Sequence, residues 1–341
     1  MTAAHDQFYQ GKRVLVTGGL GFIGSNIVHR LSSLGARTTV IDSSVPGCGA
    51  NASNLEGVPL DLLQIDLREA HRARTAIRSS DVIFNIAGEI SHCRSMSEPE
   101  RDLALNTIAQ LRFLEVCARC RPGVRIVHAS TRQVYGRPAY LPVDEDHPIQ
   151  PVDYNGVHKH AAAAYHLVLG QAGKLDAIVL RLSNTYGPRM ALGVSGQGFL
   201  AVFVRRALLG EDIEIWGDGS QLRDPLFVDD AVDAFLAAAA APRLGHRTFN
   251  IGGPEVLPLR CIAETLAALY ARAGVVQRPF PEEIRKIDIG SYYTDNRRAQ
   301  TELGWCPTVL FREGAERTIA FYRDRVADYL RVAEPQISPI R

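Results

Sequence analysis

The chain has 341 residues, 46% of them hydrophobic and 22% charged; this excludes disorder, collagen-like repeats and a coiled-coil rod, and leaves room for about two domains at roughly 150 residues each. Lys and Arg number 38 against 37 Asp and Glu, a formal charge of +1, so no positive excess is available to hold a nucleic acid. The opening MTAAHDQFYQGKR has no apolar core, and the most apolar stretch, Ala231 to Ala241, contains Asp233 and is far short of the roughly 20 residues of a membrane span. The expectation is a cytoplasmic protein that neither enters nor crosses a membrane.

In chain order, Arg13 to Val16 reads as a strand, Ile23 to Leu34 as a helix, Thr38 to Ile41 and Val82 to Ile86 as strands, and Leu103 to Arg119 as a helix. Val124 to His128 is again a strand, about Tyr154 to Gly170 a helix, and Ala177 to Leu180 a strand. Strands alternating with helices of ten or more residues predict crossover units, hence a doubly wound parallel sheet with helices on both faces. After Asn184, turn-rich pieces separate short helices at Phe199 to Leu209, Ala231 to Ala240 and Ile262 to Ala273, which predicts a smaller lobe over the sheet. A ligand site belongs between the two, above the carboxyl ends of the strands. The pair Cys117 and Cys120 lies in a helical pattern without a partner pair at zinc spacing, so no metal site is expected.

Directly after the first strand comes Thr17-Gly18-Gly19-Leu20-Gly21-Phe22-Ile23-Gly24. Glycines at 18, 21 and 24 permit a tight turn, close approach of backbone to a pyrophosphate and close helix–strand packing, and the helix start offers free N–H groups. Asp42 ends the next strand 18 residues after Gly24, where a carboxylate accepts hydrogen bonds from ribose hydroxyls and repels a 2′-phosphate. That pattern predicts NAD rather than NADP.

This Gly-x-x-Gly-x-x-Gly spacing is joined by Asp66-Leu67, Asn85-Ile86-Ala87-Gly88, Ser130-Thr131-Arg132-Gln133-Val134-Tyr135-Gly136, Arg181 to Pro188, Trp216-Gly217-Asp218-Gly219, Arg223-Asp224 and Leu303-Gly304-Trp305. Together they resemble the extended short-chain dehydrogenase/reductase family, in its NAD-dependent epimerase/dehydratase branch acting on nucleotide sugars. The resemblance covers almost the whole chain. It implies a Rossmann-type α/β domain at residues 1–183, to which the chain returns at about 226–252, and a smaller C-terminal α/β substrate lobe from 184–225 and 253–330. Gly18, Gly21, Phe22, Ile23, Gly24, Asp42, Asp66, Leu67, Ala87 and Lys159 would hold NAD. Asn184 and Arg223, with Arg285 a further candidate, would hold the diphosphate of a nucleotide-diphosphate sugar. Homodimers through two paired helices are also implied, here Leu103 to Cys117 and His160 to Leu169.

The family's chemistry begins with oxidation of a sugar carbon, assisted by a tyrosine, a lysine four residues later and a Ser or Thr on the fifth strand. Thr131 and Lys159 occupy two of those positions, but the third is Asn155, whose amide cannot titrate. Three substitutes remain open: Lys159 itself as base, Tyr154 swung in from a position about 100° round the helix, or Glu89 and His92 from the loop above the sugar. Arg132 and Gln133 stand where 4,6-dehydratases carry an acidic pair, which disfavours dehydration. The implied activity is epimerisation through a transient keto sugar, C4 first, with decarboxylation, atypical dehydration and catalytically silent binding as alternatives.

Overall fold

The structure, a computed structural model, describes residues 7–194, 198–270 and 273–330. The first six residues, and positions 271–272 in the last expected helix, lie outside these. Seven parallel strands make the central sheet: β1 (Arg13–Thr17), β2 (Arg37–Asp42), β3 (Asp61–Gln64), β4 (Val82–Asn85), β5 (Arg125–Thr131), β6 (Asp176–Leu182) and β7 (Thr248–Ile251), in the order 7-6-5-4-1-2-3. The longer helices are α1 (Phe22–Ser33), α2 (Ala109–Cys120), α3 (Tyr154–Gln171), α4 (Phe199–Leu209) and α5 (Val228–Ala240).

Alternation along each strand builds the two faces. Val14, Val16, Phe84 and Val127 bury on one side with Ile27 and Leu31 of α1 and Phe235 of α5. Their chain neighbours Leu15, Ile83 and Ile126 bury on the other with Phe113, Leu114 and Cys117 of α2. The strand order reverses between β1 and β4, so connections leave in opposite directions there and a crevice opens above the strand ends.

The chain crosses back after its first excursion: α5 packs against α1, and β7 pairs with β6 from Thr248↔Val179 to Ile251↔Leu182. Outside the sheet, α4, the helix Leu259–Leu269 and a parallel pair, Ile213–Trp216 with Val275–Arg278, pack on one another. None of the described helices is long and apolar enough to cross a membrane.

One expected helix is not continuous. Where the sequence predicts Leu103 to Arg119, the chain forms Pro99–Leu103, then one π-helical turn, Ala104–Ile108, before α2 begins. Side-chain pulls from outside the helix accompany the extra residue: Asn106 Oδ1 accepts the Glu89 N–H at 3.0 Å, and Thr107 Oγ1 donates to the His158 carbonyl at 3.2 Å.

Candidate active site

At the crevice, Gly18 adopts φ +68°, and a Cβ there would lie 2.8 Å from the Ala87 Cα; at Gly24 a Cβ would lie 2.2 Å from the Gly18 carbonyl oxygen. Only hydrogen fits at either point. Gly21 precedes α1 without a side-chain cap, leaving the first-turn N–H groups of Phe22, Ile23 and Gly24 facing the crevice that these residues line. Asp42 forms part of the same wall; its oxygens accept the Leu20 and Ser44 N–H groups at 3.0 and 2.8 Å, while burial raises its pKa. Asp66, Leu67 and Ala87 complete the lining. Asp66 is held by Arg68, which keeps its carboxyl below the usual range. These residues fit a dinucleotide: a glycine-only backbone cradle, a helix start for the pyrophosphate and a carboxylate for a ribose.

Across the crevice, α3 starts cleanly. Asp153 Oδ1 accepts the Gly156 N–H at 2.7 Å, and Oδ2 accepts from Gln133 Nε2 and lies 3.1 Å from His92 Nδ1. Burial opposes ionisation of Asp153, but His92, the Gly156 N–H and Gln133 outweigh it and hold the pKa low. Because the helix is regular from Tyr154, that ring lies 45% exposed over His158, outside the buried cluster. The swing of Tyr154 toward the reacting centre finds no support in this placement.

Asn155, 1% exposed, donates through Nδ2 to Asp102 Oδ2 at 2.9 Å and to the Glu89 carbonyl at 3.2 Å, leaving Oδ1 buried with no partner. His158 Nδ1 lies 2.7 Å from the other Asp102 oxygen. Glu89 is buried, and its carboxylate is committed: Arg94 at 3.2 Å, Arg101 at 3.5 Å, the Cys48 thiol, and the Ile90 and Ser91 N–H groups. Lys159 is different. Its Nζ abuts Gly88, 3.1 Å from where a Cβ would sit, and makes no hydrogen bond or ion pair among the described residues. Burial lowers its pKa below the ordinary lysine value, although Asp102 and Glu89 pull the other way. Thr131 Oγ1 accepts the Gln133 N–H at 3.2 Å, which leaves its own proton free to donate.

Beyond β6, Asn184 Oδ1 and Arg223 Nε are buried without partners. Arg223 is tied by Nη1 to the Leu222 and Gly290 carbonyls, and burial and nearby Arg132 lower its pKa to about 9. Arg285 is exposed, its guanidinium 5.7 Å over the Phe280 ring, so it is not part of the buried group around Arg223.

Residues 14–252 match the profile of the NAD dependent epimerase/dehydratase family. The chain belongs to this family. Among curated relatives, it is 34% identical over 321 residues to a UDP-glucose 4-epimerase of Mycolicibacterium smegmatis, covering 92% of this chain and 99% of that one. It is 30% identical over 318 residues to UDP-glucuronic acid decarboxylase 1 of Danio rerio, covering 91% and 72%. Among solved structures, a UDP-glucose 4-epimerase of Thermotoga maritima with UDP-glucose superposes with a TM-score of 0.83 at 29% identity, over 92% of this chain and 99% of that one.

As a member of the epimerase/dehydratase family, the protein uses NAD and a Rossmann-type sheet. Sequence reasoning passed over Asp102 and Asn106, which hold Asn155 and the Glu89 backbone. Their signal was present: two polar residues four apart on either side of the apolar Leu103-Ala104-Leu105, one turn's spacing that puts both on one face. Arg132 was read only as a missing carboxylate. The structure buries it at 9% exposure.

Proposed function

We propose that the protein is a nucleotide-sugar epimerase that inverts a ring carbon, C4 first, through a transient keto sugar, with Lys159 rather than a phenol accepting the hydroxyl proton. The observation that carries this is the unpaired, desolvated Lys159 ammonium, one helical turn from an Asn155 whose amide nitrogen is already bound. NAD supplies the hydride acceptor for the first half of such a reaction and the donor for the second. Thr131 donates its free proton to the sugar oxygen and fixes its position. Lys159, its charge disfavoured by burial, reaches the neutral amine more readily than an exposed lysine and takes the proton from that oxygen. Asn155 Oδ1, buried and unpartnered, accepts from a sugar hydroxyl; Asn184 and Arg223 face the diphosphate. Decarboxylation of a uronic acid begins with the same oxidation, and the named relatives include one enzyme of each kind. We also propose a homodimer through α2 and α3.

The test is direct. UDP-, dTDP-, GDP- and CDP-sugars are incubated with NAD-loaded protein, and products are resolved by chromatography, NADH absorbance and carbon dioxide release. One donor is expected to yield its epimer, with Lys159→Ala about 10²- to 10⁴-fold slower. The rate should rise with pH through a midpoint below the ordinary lysine value of about 10.4. A Lys159→Ala enzyme as fast as the wild type removes this assignment, and carbon dioxide without an epimer selects decarboxylation.

A further inference from the structure

The short helix Val326–Leu330 is distant in sequence from the glycine cradle, yet two hydrogen bonds in series join them. Tyr329 donates from Oη to Asn54 Oδ1 at 2.6 Å, and Asn54 Nδ2 donates to the Leu20 carbonyl at 2.8 Å. Leu20 stands between Gly19 and Gly21 in the turn that opens α1. The same carbonyl accepts the Asn51 N–H at 3.0 Å, and the Leu20 N–H goes to Asp42 Oδ2. Both main-chain polar groups at the middle of the cradle are therefore fixed, one by Asp42 and the other by the segment that carries Asn54. Asn54 is 2% exposed, with its own carbonyl 2.8 Å from His29 Nε2 of α1 and its amide used at both ends. Without the Tyr329 hydroxyl, Oδ1 would be a buried acceptor with nothing to accept. The amide would then gain by turning toward another donor or toward water, and such a turn takes Nδ2 off the Leu20 carbonyl.

Tyr329 is anchored in turn to a second segment of the crevice lining. Its ring meets those of Phe321 and Tyr322 edge to face, with centroids 5.7 and 5.0 Å away, and Tyr322 Oη donates to the Met190 carbonyl at 2.9 Å. The Leu330 carbonyl backs onto Gly193, where a Cβ would lie 2.7 Å from it. Between Met190 and Gly193 in the chain is Ala191, which lines the same crevice as Gly18, Gly21 and Asp42. One phenol thus ties the glycine turn to another stretch of the wall around the cofactor. A cradle held in its binding shape before the ligand arrives loses less freedom when it binds.

We propose that Tyr329 is a cofactor-positioning residue: acting through Asn54, it holds the glycine turn in the shape that receives the pyrophosphate of NAD and so slows release of the dinucleotide. This rests on the family's use of NAD and on no particular sugar. The experiment follows exchange of bound radiolabelled NAD against excess unlabelled NAD in wild type, Tyr329→Phe, Asn54→Ala, the double variant and Tyr9→Phe, with thermal unfolding alongside. Tyr329→Phe keeps the ring, removes one oxygen and should release NAD about 2- to 10-fold faster. Asn54→Ala should release it at least as fast, and adding Tyr329→Phe to it should change the rate no further, since the hydroxyl then has nothing to act through. Tyr9 supplies the comparison: its buried Oη donates to the Leu236 carbonyl at 2.7 Å, and it lies outside the crevice lining. Tyr9→Phe should lower the melting temperature and leave exchange unaltered. If Asn54→Ala does not fold, Tyr329→Phe against Tyr9→Phe carries the test. Exchange in Tyr329→Phe at the wild-type rate, whatever its melting temperature, overturns the proposal. So does a double variant whose two effects multiply, or a Tyr9→Phe enzyme that releases NAD as fast as Tyr329→Phe.

Discussion

Asn155 and His158 reach one carboxylate, that of Asp102, which is 2% exposed. Its negative charge is the largest of those that hold Lys159 charged against desolvation. Asp102→Asn therefore acts in two ways. One of the two N–H groups it now receives would face another N–H, a loss of about 1–3 kcal/mol in stability. Removing the charge also lets the Lys159 pKa fall further. Activity needs the neutral amine, whose fraction grows as pH rises through that pKa, so the ascending limb of the pH–rate profile should move toward acid. Rate profiles of wild type and variant over the alkaline range, with thermal unfolding alongside, separate the effects. A lower melting temperature with an unmoved limb would make Asp102 a purely structural anchor.

The first turn of α3 gathers the site because Asp153 fixes its start, and this is also where sequence and structure can be compared most closely. The boundary at Tyr154 was legible from the pattern, and so were Gly18, Gly21, Gly24 and Asp42, whose spacing is dictated by local backbone geometry. The facing of Tyr154 was not, since 100° of rotation on a helix decides between site and surface only once the neighbours are placed. The π turn at Ala104–Ile108 and the burial of Arg132 were hidden for the same reason: each depends on partners distant in sequence, the Glu89 backbone and Tyr292. Replacing Asp153 tests how much the start of the helix matters. Asp153→Ala removes the cap and leaves Gln133 Nε2 unpaired, so stability should fall by about 0.5–2 kcal/mol and kcat should drop, while NAD still binds the glycine cradle on the other wall. Asp153→Asn, itself a good cap, should recover most of the stability on denaturant unfolding. If kcat recovers fully as well, the Asp153 charge has no part in the chemistry.

For the molecule as a whole, the helical segments around the site leave apolar side chains in water: Leu103, Ile108 and Leu111 on the run ending in α2, and Tyr154, Val157 and Val168 on α3. The two helices pack side by side, so these residues form one surface, suited to a twofold partner that meets the same residues. Fully burying a Val or Leu is worth about 1.5–3 kcal/mol. Only the part still in water, 37% of Leu111 and 58% of Val168, is left for a partner to bury; counted twice across a twofold axis, its loss removes about 1–3.5 kcal/mol, weakening association about 5- to 400-fold. Leu111→Arg and Val168→Arg, both away from Lys159, should each turn a dimer into a monomer in light scattering at micromolar protein, with NAD binding retained. The activity should follow the assembly. Tyr154 and Val157 flank Asn155 on the turn that Asp153 caps, so covering them would hold that turn in place, and the monomeric variants should show a lower kcat at unchanged NAD affinity. Wild-type protein that is monomeric at these concentrations yet fully active would show that the turn needs no partner and that the exposed surface serves something else.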